Sequence, residues 1–348
     1  MLRVLHVDSG REYRGGQDQV RLLARELARD PDVQQYLITR RGSELARRVA
    51  TAGTPVHEVP WTIGLDPRAW WRLVLLARAL RADVIHAHDG HALGIALAAR
   101  RWLDAQPRMV ATRRVVFPVR RRSSLFRADR IVAISAAVET VLVAAGVSPG
   151  EISVVPSGID PDEVRAAAAV PFGIRARLGL SPHAPIAVNV AALEPAKDQT
   201  TLVRAAHAAR TLRPDLHWVI AGAGDERRTV AAQIGGLGLT DRVHLLGHIA
   251  QADALIAESN LLVMSSKEEG LGSVVLHALA LGKPVVATRA GGLPEIVPEQ
   301  CLVPVGDAHA LAQTVVRALD QPSPFPLPPQ FTAAAMARGV LAVYRSLV

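Results

Sequence analysis

The feature that most constrains this chain is a rhythm. Short β-branched runs alternate with amphipathic helical stretches from one end to the other, the pattern of parallel sheets covered by helices. In the first half the runs fall near residues 3–8, 35–39, 55–59, 83–87, 108–112, 130–133 and 152–155, with helical periodicity clearest at 17–29, 67–81, 90–103 and 135–145. The second half repeats the pattern, with runs near 186–191, 217–221, 242–246, 260–264, 284–287 and 301–303, and helices near 198–211, 226–237, 271–281 and 307–319. A chain of 348 residues has room for two such doubly wound α/β domains.

Punctuation residues place the boundaries. Val155-Pro156-Ser157-Gly158-Ile159-Asp160-Pro161 ends a strand in turn chemistry and Val170-Pro171-Phe172-Gly173 approaches the next domain, so the linker lies near 156–180 and the domains read as 1–168 and 169–330. The run from Gln321 to Pro329 holds five prolines, which fix φ and lack the backbone donor, so it is a stiff connector. Residues 331–348 then read as an apolar helix suited to pack back on the first domain.

Hydrophobic residues at 49% and charged residues at 21% exclude a disordered or fibrous chain. The single cysteine, Cys301, excludes a disulfide framework or a multi-cysteine metal site; it reads as part of a buried strand and suits a reducing cytosol. No window has the length and apolarity of a signal peptide or membrane span. The net charge of +8 is lopsided, because residues 1–168 carry 25 Arg, no Lys and 18 acids. Such a half meets nucleic acid, anionic lipid or a phosphorylated substrate, or is simply an arginine-rich solvated surface.

Three glycine-bearing loops follow strands. Arg14-Gly15-Gly16-Gln17 opens the first helix without being a dinucleotide fingerprint, and Ala221-Gly222-Ala223-Gly224 reads as a plain turn. Ser265-Ser266-Lys267-Glu268-Glu269-Gly270-Leu271-Gly272-Ser273 is more informative: its glycines and serine at a helix N-terminus present unpaired N–H groups to an anion. Glu269 there is suited either to accept hydrogen bonds from sugar hydroxyls or to cap the helix. Asp160-Pro161-Asp162 reads as turn and cap chemistry rather than a metal motif.

Taken in order, these strings resemble glycosyltransferase family 4. Those that carry the resemblance are Gly15-Gly16, Asp83-Val84-Ile85-His86-Ala87-His88, Ala128 to Ser135, Val154 to Asp160, Glu269-Gly270-Leu271-Gly272, Ala278 to Thr288 and Gly291 to Val297. The resemblance spans essentially the whole chain. It implies a GT-B fold of two Rossmann-like domains facing a cleft, acceptor on the first and nucleotide-sugar on the second, and a retaining transfer needing neither metal nor cofactor. On the matching positions Glu269 would hold donor-sugar hydroxyls, Gly270, Leu271, Gly272 and Ser273 would meet the diphosphate or sugar, and Lys197 would pair with the diphosphate. His88 would sit at the reacting sugar, and Gly15 and Gly16 would close over the donor phosphates.

Three positions depart from the family pattern. His277 stands where a second glutamate usually binds the ribose, and histidine cannot accept two hydrogen bonds at once. Ala191-Ala192 replaces the usual Gly-Arg, removing a diphosphate cation worth about 1.5–3 kcal/mol; Arg289 is a candidate replacement. Ser157 stands where asparagine is frequent. Of 40 basic residues only Lys197, Lys267 and Lys283 are lysines, so a lysine at the phosphate position is notable.

The run Arg113 to Arg127 has six bases and no acids, with Phe117 and Phe126 among them. Aromatics at 4% argue against nucleic acid. Arg113, Arg114, Arg120, Arg121 and Arg122 are instead expected to face an acidic acceptor or an anionic membrane, or to be a solvated loop. The expected protein is a cytoplasmic enzyme, peripheral on the inner face of the plasma membrane. It would move a sugar from a nucleotide-diphosphate-sugar to a glycan or lipid-linked acceptor in envelope, lipopolysaccharide or exopolysaccharide assembly. Two readings stay open beside it: a degenerate GT-B protein that binds nucleotide-sugar or a partner without turnover, and a GT-B sugar-nucleotide epimerase.

Overall fold

Parallel strands must be joined by crossovers of a dozen residues or more, and the helical stretches supply them. A computed structural model describes residues 1–62, 66–103, 106–120 and 122–348. Contacts divide the chain into Met1–Ile159 with Pro329–Val348 (unit 1) and Asp160–Pro328 (unit 2).

Unit 1 begins β1 (Leu2–Asp8), α1 (Gly15–Leu27), β2 (Val33–Arg40), α2 (Glu44–Thr51), β3 (Val56–Val59), α3 (Pro67–Leu80), β4 (Val84–Ala87), α4 (Gly90–Arg100), β5 (Arg108–Arg113), β6 (Arg130–Ala133), α5 (Ala136–Ala144) and β7 (Ile152–Val154). Among the described residues its sheet has seven parallel strands in the order β3-β2-β1-β4-β5-β6-β7. Unit 2 follows with α6 (Pro161–Ala168), α7 (Ile174–Arg177), β8 (Ile186–Val190), α8 (Gln199–Ala209), β9 (His217–Ala221), α9 (Arg227–Gly236), β10 (Val243–Gly247), α10 (Ala252–Glu258), β11 (Leu261–Met264), α11 (Ser273–Ala280), β12 (Val285–Thr288), β13 (Leu302–Val303) and α12 (Ala308–Asp320). Its six parallel strands run β10-β9-β8-β11-β12-β13. Both are Rossmann-like sheets that reverse their winding at one point, between β1 and β4 and between β8 and β11.

The helix at 161–168, read above as the end of the first domain, packs on α10 and α11 in unit 2. Asp160 caps it, accepting from the amides of Asp162 and Glu163. Cys301 is not in a strand: it is half-buried and closes a 3-10 turn, Glu299–Cys301, before the two-residue β13. Among the described residues no helix is long and apolar enough to cross a membrane.

The last helix, α13 (Ala333–Arg345), returns to unit 1. Ile159 ties its start, donating to Phe331 O (3.0 Å) and accepting from the Ala333 amide (2.8 Å). Met336, Val340 and Tyr344 share a core with Leu22, Leu23 and Leu27 of α1 and with Leu2, Val4, Val84, Val110 and Val132 of the sheet. Since strand side chains alternate, the next residues on this face are His6 and Asp8, His86 and His88, and Thr112 and Arg114. The face is therefore apolar where the strands begin and polar where they end.

His86 anchors the change of character. Its Nδ1 lies 2.5 Å from Tyr344 Oη and its Nε2 lies 2.7 Å from Thr112 Oγ1. Burial pushes His6 down to about 4, and it holds His86 and His88 well below the usual imidazole range, helped by their mutual repulsion and by Arg114.

Two outcomes follow from this core. Tyr344→Phe strands His86 Nδ1 without its partner and should cost about 1–3 kcal/mol, read by calorimetry as a melting midpoint several degrees lower; an unchanged midpoint would mean that the bond contributes nothing. Acidification should also destabilise the fold. Below pH 6.5 the unfolded chain protonates these histidines and the native one does not, so stability is lost as pH falls toward 4, by about 2 kcal/mol at pH 5 for His6 alone. Asp8, raised to about 6, works in the opposite direction but is one group against three. Urea midpoints at pH 7.5 and 5.0 test the sign.

Candidate functional site

In unit 2 the loops after β8, β11 and β12 converge. The 3-10 turn Pro195–Lys197 lies against the loop after β11, where the amides of Lys267 and Glu268 donate to Ala196 O (2.8 and 3.2 Å) and Ser265 Oγ donates to Lys197 O (3.0 Å). Lys197 Nζ thereby comes to 2.5 Å from Glu269 Oε2, with Ser266 Oγ donating to the same oxygen at 3.4 Å. Asp198 follows in a left-handed conformation (φ +47°) and accepts from Thr200, Thr201 and Lys267. Burial alone would raise its carboxyl, but these donors outweigh it and hold the group below its ordinary value.

Glycine is required where the third loop meets the second. A Cβ on Gly291 (φ +50°) would lie 1.8 Å from Glu269 O, and the neighbouring Gly292 amide donates to that oxygen at 3.0 Å. Gly272, at φ +92°, is the residue that caps α11. Glu269 is thus not a helix cap: its carboxylate is turned to Lys197. Leu271 is buried, whereas Gly270 and Ser273 are half-buried at the head of α11, where a helix N-terminus favours negative charge.

The remaining expected donor residues lie nearby in sequence but are engaged. His277, one turn into α11, sets Nδ1 2.7 Å from Asp253 Oδ1 of α10. Arg289 is bidentate to Glu299 in this structure, its Nη1 2.7 Å from Oε2, in an exposed ion pair. Ala192 is half-buried, and its carbonyl accepts from Gln199 Nε2 at 2.9 Å. Ser157, in unit 1, is buried.

In unit 1 the strand ends again gather the polar groups. Gly15 and Gly16 open α1, and a Cβ on Gly16 would lie 3.6 Å from Arg114 Cδ, so that arginine reaches the head of the helix. Burial pushes the Arg114 guanidinium down to about 10, with Asp8 countering. Asp8 is buried at the end of β1; burial and the charge of Asp89 raise it to about 6, against the Gly10 amide, Gln17 and Arg114. Asp89 accepts from Ser9 N and Oγ (both 2.6 Å) and caps α4. Beside it is a cavity of about 360 Å³ lined by Ser9, Gly10, Arg40, Trp61, Asp89 and His91, on the carboxyl edge where open α/β sheets take ligands. A larger cleft of about 510 Å³ lies at the opposite edge, among Arg3, Asp83, Arg100 and Arg108.

His88, expected at a reacting sugar, is only 5% exposed, with Nε2 3.0 Å from His6 Nδ1 and its ring 4.2 Å from that of His86. It lies within the sheet edge rather than on a surface. Nitrogens of His6, His86 and His88 lie within 4.8 Å of one another, the one such metal-ligand spacing found among the described residues. As folded, His6 and His88 bond to each other, and His86 bonds to Tyr344 and Thr112.

The basic run is divided. Arg113 is half-buried and donates to the carbonyls of Val115 and Phe117, folding its own loop; Arg114 points inward; Arg120 and Arg122 are exposed. Arg121 lies outside the described residues. Sequence reasoning missed His6, Asp8, His86 and Asp89, whose signal was there: polar residues on alternate positions at the ends of otherwise apolar strands.

Residues 13–163 match the family model described as Glycosyltransferase Family 4, and residues 173–338 match the one described as Glycosyl transferases group 1. Over 210 residues the chain is 31% identical to a 2-deoxystreptamine glucosyltransferase of Streptomyces kanamyceticus, a match covering 58% of this chain and 54% of that protein. Over 162 residues it is 38% identical to a D-inositol 3-phosphate glycosyltransferase of Mycolicibacterium gilvum, covering 43% and 34% respectively. The chain thus spans about half or less of the length of these relatives. Anabaena HepE, crystallised in complex with UDP and glucose, has the same fold over 100% of this chain and 97% of that one, at a TM-score of 0.78 and 21% identity. With the two models matched in order along one chain, the protein belongs to the glycosyltransferases of family 4 and is built on the GT-B fold.

Proposed function

We propose that the chain is a retaining glycosyltransferase that takes a nucleotide-diphosphate-sugar on unit 2. The observation that carries this reading is the Lys197–Glu269 pair, held at the head of α11 by loops from three strands. The diphosphate would draw the Lys197 ammonium from Glu269, and the freed carboxylate would accept hydrogen bonds from sugar hydroxyls. The bond from the anomeric carbon to the diphosphate oxygen breaks, the bond to an acceptor oxygen forms, and the acceptor hydroxyl gives its proton to the departing diphosphate. Lys197 and the α11 N-terminus supply the positive charge that offsets the departing diphosphate, so the reaction built this way calls for no metal. UDP in HepE supports a uridine donor.

Acceptor recognition falls to unit 1, where the cavity at Asp89 and His91 presents hydrogen-bonding groups for hydroxyls and Arg120 and Arg122 present charge. A glycan or lipid-linked acceptor, in envelope or exopolysaccharide assembly on the inner membrane face, fits that chemistry. His88, buried and neutral, would be a positioning residue here.

The first test is a thermal-shift series with UDP, GDP, ADP and their sugar conjugates. A nucleotide at about 100 times its dissociation constant adds about 2.7 kcal/mol of stability. One nucleotide should shift the wild type selectively, and Lys197→Ala should weaken it about tenfold to a hundredfold; no shift from any of them would sink the donor site. Turnover is the second test. Glu269→Ala should lower it on the order of a hundredfold, and turnover equal to wild type would remove Glu269 from the site. A wild type that binds nucleotide tightly yet transfers nothing would favour a binding protein without turnover, while product formed with no acceptor would favour an epimerase.

A further inference from the structure

Three of the chain's five tryptophans meet on one surface of unit 1. Trp70 of α3 lies with its ring centroid 5.8 Å from that of Trp71 and 5.8 Å from that of Trp102, edge-on to the latter. Trp70 is half-buried, but Trp71 is 51% exposed and Trp102, just past α4, is 56% exposed. A helix whose apolar side is satisfied by the core has no need of them: α3 already buries Ala69, Leu73, Val74 and Ala77. The outward stripe of α3 is Arg68, Trp71, Arg72, Leu75 and Arg78, at the spacing of a single helical face, with Leu75 42% exposed.

Charge identifies the partner. Neither α3 nor α4 contains an acid, and Arg101 stands exposed beside Trp102. Asp66, at the head of α3, is taken up by Arg68 and backbone amides; among the described residues Arg72 and Arg101 form no ion pair. The 3-10 turn Ser124–Arg127 packs on α4 and adds exposed Phe126 and Arg127. Indoles set beside Arg72 and Arg101, with no acid on the described surface around them, match the headgroup layer of a bilayer. There a tryptophan sits with its ring among the upper acyl chains and its N–H in the wet layer, and arginine stems lie along apolar surface with the charge at lipid phosphates.

We propose that the α3–α4 face, through Trp71, Trp102, Arg72 and Arg101, seats the protein on an anionic membrane surface. This deepens the peripheral location proposed above, but it rests on residues apart from the donor site and is read without turnover. The test is co-sedimentation of the full chain with phosphatidylcholine vesicles, with and without phosphatidylglycerol, while tryptophan emission is followed. The wild type should bind the anionic vesicles with a blue shift and release in high salt. Trp71→Ala with Trp102→Ala, and separately Arg72→Gln with Arg101→Gln, should each lower the partition coefficient at least tenfold.

The nucleotide thermal shift, measured on the same variants, should stay at its wild-type size and so separates loss of the seat from loss of the fold or of the donor site. Failure of the wild type to bind anionic vesicles overturns the proposal. So does binding indifferent to lipid charge, or binding lost in Arg120→Gln with Arg122→Gln but kept in the tryptophan variants. A dimer seen by light scattering and dissolved by the tryptophan substitutions, with no vesicle binding, would assign the face to self-association instead.

Discussion

A parallel sheet covered on both faces by helices leaves one edge where side chains from several strands meet a ligand, the edge formed by the strands' carboxyl ends. Everything chemical in this protein obeys that constraint. In unit 2 the edge brings together Lys197 and Glu269, 72 residues apart, because β8 and β11 are the strands that flank the reversal of winding. In unit 1 the same reversal, between β1 and β4, sets Asp8 and Ser9 beside Asp89. The crossover helices separate residues in sequence, and the sheet order brings them back.

The two edges handle charge differently. Unit 1 buries its titratable groups, and burial then decides their state: imidazoles held neutral, a carboxyl raised, a guanidinium lowered. Unit 2 keeps a half-buried ion pair whose members neutralise each other. Such a pair gives little net stability, since desolvation opposes the attraction. It stays together because Ser265 and the Gly291–Gly292 loop hold the backbone on which it is mounted and Ser266 donates to the carboxylate.

Much of this was legible from residue order. Every strand of both sheets overlaps a run that the residue order places, and the helix after the proline connector packs within unit 1. The helices at 44–51, 161–168, 174–177 and 252–258 escaped because none exceeds about two turns, too short for a 3.6-residue period to stand out. At the site, Glu269 and Lys197 could each be singled out, but their mutual contact needed the fold. That Arg289 pairs with Glu299, ten residues on, likewise needed the fold. His88 lies on a strand face whose inward direction depends on where α1 and α13 lie, and its burial followed from that. Trp70 and Trp71 are adjacent in sequence, and only the docking of α3 decides which one faces outward.

Residues 160–328 are inserted between the two parts of unit 1, and that has a consequence for how the chain is made. The sheet of unit 1 is complete by Val154, yet one of its faces lacks Met336, Val340 and the Tyr344 hydroxyl until the whole of unit 2 has been synthesised. On a ribosome the later unit can close first, from one continuous segment, while the earlier one waits with Val4, Val84 and His86 uncovered. The nascent first half is therefore the part of this molecule most exposed to wrong partners, and its last helix acts as the fastener that ends the exposure.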